Sequence, residues 1–369
     1  MTGGKLKVLH VLTVRYGPNG ITRCAMNYIR HFTRTRADLA CGFSLPEGVA
    51  AAFSLRGARA VSLPPRLRRP IAYVRALCEL MRAERYDLVQ VHGNSCTMAL
   101  ELYAAKRAGV AARLPHAHNT RCSAKLLHIL LRPFFERWRT GAFACGTAAG
   151  EWLYRGKPFT VVKNAVDTAA FAFDEAARIR ARGALGLDGC FVMGHVGSFN
   201  AQKNHAFLLE IFQELHRLDG NAALLMVGDG ETRPQMERRI EALGLGGVVR
   251  IVKSTDEVAP LYAAMDAFAL PSLFEGLPFT LIEAQAGGLP CYAAETVTRE
   301  ADMSGLVRFI EAGKSAADWA AMIYAAGKND RPAASSAARE SIARAGYSIA
   351  DEAAALEALY ARSIQEARK

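Results

Sequence analysis

Two glutamates eight positions apart, Glu275 and Glu283, bracket the run Glu275-Gly276-Leu277-Pro278-Phe279-Thr280-Leu281-Ile282-Glu283. A carboxylate holds vicinal sugar hydroxyls through short, charge-assisted hydrogen bonds. Pro278 suits the first turn of a helix, and the amides of such a turn bind a pyrophosphate. A second run, Gly197-Ser198-Phe199-Asn200-Ala201-Gln202-Lys203-Asn204-His205, sets a lysine at the mouth of another helix. A cation there adds to the positive end of the helix dipole and makes an anion site. The Gly-Lys-Ser/Thr ending of a P-loop is absent. Together these are the parts of a nucleotide-sugar cradle. The plain alternatives are a surface lysine and an exposed helix glutamate.

The first half of the chain offers weaker chemistry. Arg15-Tyr16-Gly17-Pro18-Asn19-Gly20 follows a strand, and Gly20 lets backbone approach a ligand closely. His116 and His118 alternate on one face of a strand ending. They could pair on zinc, but no further ligand is expected nearby. His92-Gly93-Asn94 ends another strand. Residues 124–139 repeat Leu126, Leu127, Leu130, Leu131, Phe134, Phe135 and Trp138 at helical spacing among Lys125, Arg132, Arg137 and Arg139. Two readings stand: a helix packed on a sheet, or a basic amphipathic helix at a membrane interface. Pro133 is expected to kink or divide it. Pro64-Pro65-Arg66-Leu67-Arg68-Arg69-Pro70 reads as a surface loop able to meet anionic lipid or a lipid-linked diphosphate. The eight cysteines are scattered without a Cys-x-x-Cys pair, so neither a disulfide framework nor a structural zinc site is expected.

The elements that must position these residues alternate. Lys7–Val14, Leu39–Ser44, Ala60–Leu63, Leu88–His92, Arg113–His118, Ala142–Cys145 and Thr160–Val162 read as strands with helices between them, such as Tyr73–Glu84 and Cys96–Arg107. The order restarts after Asn164 with strands Phe191–Val196, Ala222–Val227, Val248–Val252, Ala267–Leu270 and Leu289–Ala293. This β-α-β-α order predicts two doubly wound α/β domains with parallel sheets. Ligands of such sheets bind at the carboxyl ends of the strands. The expected division is 1–168, 169–345 and a terminal helix in 346–369 that crosses back to the first domain. The 369 residues are 51% hydrophobic and 22% charged, which excludes a disordered chain. Neither a membrane-spanning run nor a signal peptide is recognised. Residues 1–165 carry 26 Lys and Arg against 8 Asp and Glu, while the whole chain nets +11, so the second half is acidic. The basic half suits an anionic membrane or acceptor. No motif of a known nucleic-acid module accompanies it, so nucleic acid is not an expected partner.

With these motifs in view, the chain resembles family 4 glycosyltransferases of the GT-B fold, two Rossmann-like domains facing a central cleft. The resemblance runs through Glu275-x7-Glu283, Gly197-Ser198 to His205, Val227-Gly228-Asp229-Gly230, Ala286-Gly287-Gly288-Leu289-Pro290 and Val161-Val162-Lys163-Asn164-Ala165-Val166-Asp167. It is greatest toward capsule and exopolysaccharide enzymes. The resemblance implies a retaining, metal-independent transfer from a UDP-sugar to a glycan or lipid-linked hydroxyl, without a cofactor. The enzyme would be cytoplasmic and peripheral at the inner membrane face. It assigns the diphosphate to Lys203, sugar hydroxyls to Glu275 and the ribose to Glu283. Amides of Leu277, Phe279 and Thr280 would face phosphate, beside Gly197 and Gly276. Val252 and Ser254 would line the base, Gly20 would approach the donor, and His118 would reach the sugar or acceptor. Ser198 departs from the family's arginine. The alternatives are a non-catalytic nucleotide-sugar-binding partner of a glycan-assembly complex and a sugar-nucleotide epimerase.

Overall fold

A computed structural model describes residues 5–17, 19–122, 124–255, 257–325 and 330–369. Pro18 of the first glycine-bearing loop lies outside them. The chain divides into two compact units, 1–165 with 349–369, and 166–348. The boundaries therefore fall at 165/166 and 348/349, not at 168/169 and 345/346.

The first unit is built on β1 (Leu6–Leu12), β2 (Thr35–Cys41), β3 (Ala60–Ser62), β4 (Leu88–Gly93), β5 (Ala112–Ala117), β6 (Phe143–Ala144) and β7 (Thr160–Val161). They form one parallel sheet in the order β3-β2-β1-β4-β5-β6-β7. β2 starts earlier than its apolar run suggests, because Asp38 is a buried polar residue of the strand. It accepts from Tyr86 Oη (2.7 Å) and Arg59 N (2.9 Å) and pairs with Arg36 (3.1 Å). The terminal helix Ile349–Arg368 belongs to this unit. Its Tyr360 is fully buried against Phe32 and His10 and bonds Gln90, while Glu357 accepts from the amides of Thr33 (3.1 Å) and Arg34 (2.7 Å).

Two surface expectations change here. Arg66 is buried: its guanidinium pairs with the fully buried Glu101 (2.6 Å) and donates to Thr97 O (2.8 Å), while Pro65, Leu67, Arg68, Arg69 and Pro70 stay exposed. Glu101→Ala should cost about 3 kcal/mol of stability, since it strands a buried cation whose charge has lost its counter-ion. Urea unfolding measures this. Pro133 does not divide its helix, which runs unbroken from Lys125 to Trp138. That helix buries His128 and Phe135 and leaves Leu126 (69%), Ile129 (60%) and Leu130 (57%) exposed, with Leu127 and Phe134 beside them.

The second unit has β8 (Phe191–Val196), β9 (Ala222–Val227), β10 (Val249–Val252), β11 (Ala267–Leu270), β12 (Cys291–Ala294) and β13 (Val307–Ile310). They are parallel, in the order β10-β9-β8-β11-β12-β13. Alternation sorts β9 cleanly: Ala222, Leu224 and Met226 enter one core, and Ala223, Leu225 and Val227 the other. β12 begins two residues later than expected, after Pro290, which has no N–H for the ladder. Beyond Ala293 the sequence pattern singles out only the terminal helix. The structure adds β13 and the helices Ala316–Ala325 and Arg331–Arg344. Gly288 explains one contact of the latter: at φ +68° its Cα sits so close that a Cβ would lie 2.6 Å from Ser335 N.

Candidate functional site

The parallel strands of the second unit all deliver their carboxyl ends to one edge. β8 ends at Val196 and feeds a loop that closes in a 3-10 turn, Ala201–Lys203. Asn200 caps the turn by accepting from Lys203 N (3.2 Å). Asn204 takes a left-handed conformation (φ 54°) and launches the helix His205–Leu218. The loop after β9 supports this loop from the side: Gly197 N donates to Val227 O (3.0 Å) and Phe199 N to Asp229 O (2.9 Å). A Cβ on Gly228 would sit 2.0 Å from Gly197 O, so Val-Gly-Asp-Gly exists to let two backbones touch.

The loop after β11 is stitched to the same turn. Leu273 N donates to Gln202 O (2.8 Å), Gln202 Nε2 to Phe274 O (3.0 Å) and Asn204 Nδ2 to Pro271 O (3.3 Å). These bonds bring together residues 72 positions apart: Lys203 Nζ lies 2.6 Å from Glu275 Oε1, with side chains 13% and 9% exposed. The helix Phe279–Ala286 follows, with Pro278 at its N-cap position rather than inside the first turn, and no side chain caps it. Glu283 is fully buried, which removes the reading of it as a solvent-facing glutamate. Its Oε2 accepts from Tyr262 Oη (3.0 Å), which also reaches Thr280 O (3.2 Å).

Behind Lys203 stand two buried imidazoles. His195 Nδ1 donates to Ala269 O (2.8 Å), and His205 stacks on Phe199 (centroids 4.2 Å). Burial first, then each other's or the lysine's charge, holds His195 well below its ordinary pKa and His205 down to about 4. Both are neutral at pH 7.

The other expected residues divide by unit. Gly197, Ser198, Leu277 and Thr280 are half-buried, Phe279 is buried, and Gly276 is exposed, all on these loops. Val252 ends β10 and its carbonyl accepts from Gly228 N (2.9 Å); Ser254 is exposed two residues on. A Cβ on Gly276 or Gly20 would meet nothing within 4 Å, so the chain's own packing requires neither glycine. Gly20 and His118 lie in the first unit. Gly20 opens a helix whose first turn is capped by Asn19, accepting from Thr22 N (3.0 Å). His118 follows β5 in a chain of imidazoles: His118 Nε2 meets His92 Nδ1 (3.0 Å), and His92 Nε2 meets His10 Nδ1 (3.0 Å). Burial holds His118 at about 3, hence neutral. His10, Gln90 and Tyr262 belong to no motif in the sequence. A histidine inside the apolar strand Val8-Leu9-His10-Val11 was the available signal for the first.

Residues 190–329 match the family Glycosyl transferases group 1. EpsF of Bacillus subtilis, assigned as a glycosyltransferase, is 29% identical over 305 residues, 79% of each chain. An Escherichia coli UDP-Gal:alpha-D-GlcNAc-diphosphoundecaprenol alpha-1,3-galactosyltransferase is 27% identical over 313 residues, again 79% of each. The crystal structure of Anabaena HepE with UDP and glucose superposes with a TM-score of 0.74 over 97% of this chain and 100% of that one, at 18% identity, a likeness of fold.

Proposed function

This chain is a glycosyltransferase with the GT-B fold, and we propose that it moves a sugar from a UDP-sugar to a hydroxyl of a lipid-linked or glycan acceptor in surface-polysaccharide synthesis. The observation that carries the donor assignment is the Lys203–Glu275 pair (2.6 Å) beside a helix N-terminus free of side-chain caps. In the free protein the two charges neutralise each other. A diphosphate competes for the ammonium, and Glu275 is released to hydrogen-bond sugar hydroxyls. Amides of Phe279 and Thr280 add donors aimed at phosphate oxygens, where negative charge grows as the sugar leaves. Tyr262 holds one oxygen of Glu283, and we assign the carboxylate to the ribose. Ser198 carries no charge, so Lys203 and these amides bear the leaving-group load. We assign the reaction as retaining and independent of a metal at the diphosphate, with a phosphate oxygen helping to deprotonate the acceptor.

The decisive assay is nucleotide release from UDP-, GDP- and ADP-sugars with bacterial lipid extract and EDTA. Lipid-dependent UDP release, with the α-linkage of an α-donor kept in the product by NMR, is expected. Turnover confined to GDP- or ADP-sugars would move the donor assignment. Inversion at the anomeric carbon would end the retaining one.

The same reading gives the helix Lys125–Trp138 a membrane role. Leu126, Leu127, Ile129, Leu130 and Phe134 present apolar surface, with Lys125 and Arg137 beside it, a combination suited to an anionic bilayer that holds a lipid-linked acceptor. Leu127→Ser with Leu130→Ser should reduce co-flotation with vesicles of one-third phosphatidylglycerol by more than tenfold, on the order of 1 kcal/mol or more per leucine withdrawn. Equal flotation of native and variant chains would remove the helix from that role.

A further inference from the structure

The first unit contains a group of soft donors that sugar transfer does not require. Cys24 on the helix Gly20–His31, His116 on β5 and His118 just after it converge. One ligand atom from each lies within 4.8 Å of the other two. Cys24 and His116 are buried. His116 Nδ1 is engaged by Gln90 Nε2 (2.8 Å), and Gln90 is itself held by Tyr360. His116 Nε2 is buried with no hydrogen-bond partner. His118 gives its Nε2 to His92 (3.0 Å), which leaves Nδ1. Each imidazole is thus held through one nitrogen by an outer residue. For His116 Nε2 to bind a metal, Nδ1 must carry the ring proton, so the Gln90 amide turns over on binding: its Oε1 then accepts from His116 Nδ1–H and its Nε2 donates to Tyr360 Oη. Metal-ligating histidines are held in that way.

We propose that Cys24, His116 and His118 form a Zn2+ site. One thiolate and two imidazoles suit zinc and not magnesium or calcium, which take oxygen ligands. Zinc bonds of about 2.0–2.3 Å draw ligand atoms to within roughly 4 Å of one another, so closing the site takes shifts of about an ångström or less. Three protein ligands leave a fourth, open position. Binding transfers the Cys24 thiol proton to solvent and forms the S–Zn bond, with no change of oxidation state. The adjacent histidines at positions 116 and 118 look like an incomplete pair in sequence. The third ligand comes from 92 residues earlier, on a helix that the sheet places against them.

Cobalt(II) is the probe, since a tetrahedral thiolate complex shows visible d–d bands and a near-ultraviolet sulfur-to-cobalt charge-transfer band. The metal-free full chain should develop both, saturating at one equivalent, and lose them on addition of Zn2+. Cys24→Ser should abolish the charge-transfer band and weaken Zn2+ at least tenfold in chelator competition. Gln90→Leu, with its far-ultraviolet dichroism unchanged, should weaken Zn2+ by about 10–100-fold while keeping the band, because it removes only the support of His116. No charge-transfer band in the native chain would overturn the proposal. So would a band that survives in Cys24→Ser, since it would come from one of the seven other cysteines. The readout is the complex itself, so the result stands apart from whether the chain transfers sugar.

Discussion

Lys203→Ala should lower kcat/KM for the sugar donor by about a thousandfold, ~4 kcal/mol of lost transition-state stabilisation. Two effects add. The variant removes a cation from the position where leaving-group charge grows. It also leaves Glu275, 9% exposed and formerly 2.6 Å from the ammonium, as an unbalanced anion facing the diphosphate. The second effect acts on binding and the first on both binding and turnover, so they can be separated. Lys203→Ala combined with Glu275→Gln should regain part of the donor affinity lost by Lys203→Ala, because the repulsion is gone. It should regain little of kcat. Calorimetric Kd values and steady-state rates on the single and double variants check this. Additive losses in affinity would mean that the two side chains do not share a ligand.

Acid should destabilise the second unit steeply. His195 and His205 are buried and neutral when folded, with pKa values below the ordinary 6.5, about 4 for His205. The unfolded chain takes up protons at these positions as pH falls through 6.5, while the folded chain resists. Stability is therefore fully present above pH 6.5 and is lost as pH falls toward 4. Two such groups give a slope of about 2.7 kcal/mol per pH unit across that window. The charges facing them come from Lys203 and from each other. Hydrogen exchange of β8 and β9 peptides between pH 7.5 and 4.5 reads the effect, corrected for intrinsic rates. His205→Asn should remove about half the slope. A flat profile in the native chain would contradict the burial argument.

The parts of the site legible in sequence share a property: each announces itself locally. Lys203, Glu275 and Glu283 sit where glycine and proline mark the passage from strand to helix, and the parallel order of strands puts those passages on one edge. The reason for Gly228 became clear only when Gly197 O was seen 2.0 Å from where its Cβ would be. Features decided by distant partners are not legible locally. Arg66 stands between prolines and other arginines, the composition of a solvated loop, yet Glu101 draws it inside. Asp38 hides a strand because its partners Arg59 and Tyr86 come from elsewhere in the chain. The helix Lys125–Trp138 shows why periodicity has limits: an apolar stripe looks the same whether a sheet covers it or not, and here much of it stays uncovered. His116 and His118 lacked a third ligand in sequence because Cys24 reaches them through the fold.

The central claim is that the Lys203–Glu275 pair is a nucleotide diphosphate site. Isothermal calorimetry of UDP against the native chain and Lys203→Ala tests it most directly. The account predicts one UDP per native chain and at least tenfold weaker binding to the variant, about 1.4 kcal/mol or more. Binding of UDP that is indifferent to Lys203, or no binding to a folded native chain, would contradict it.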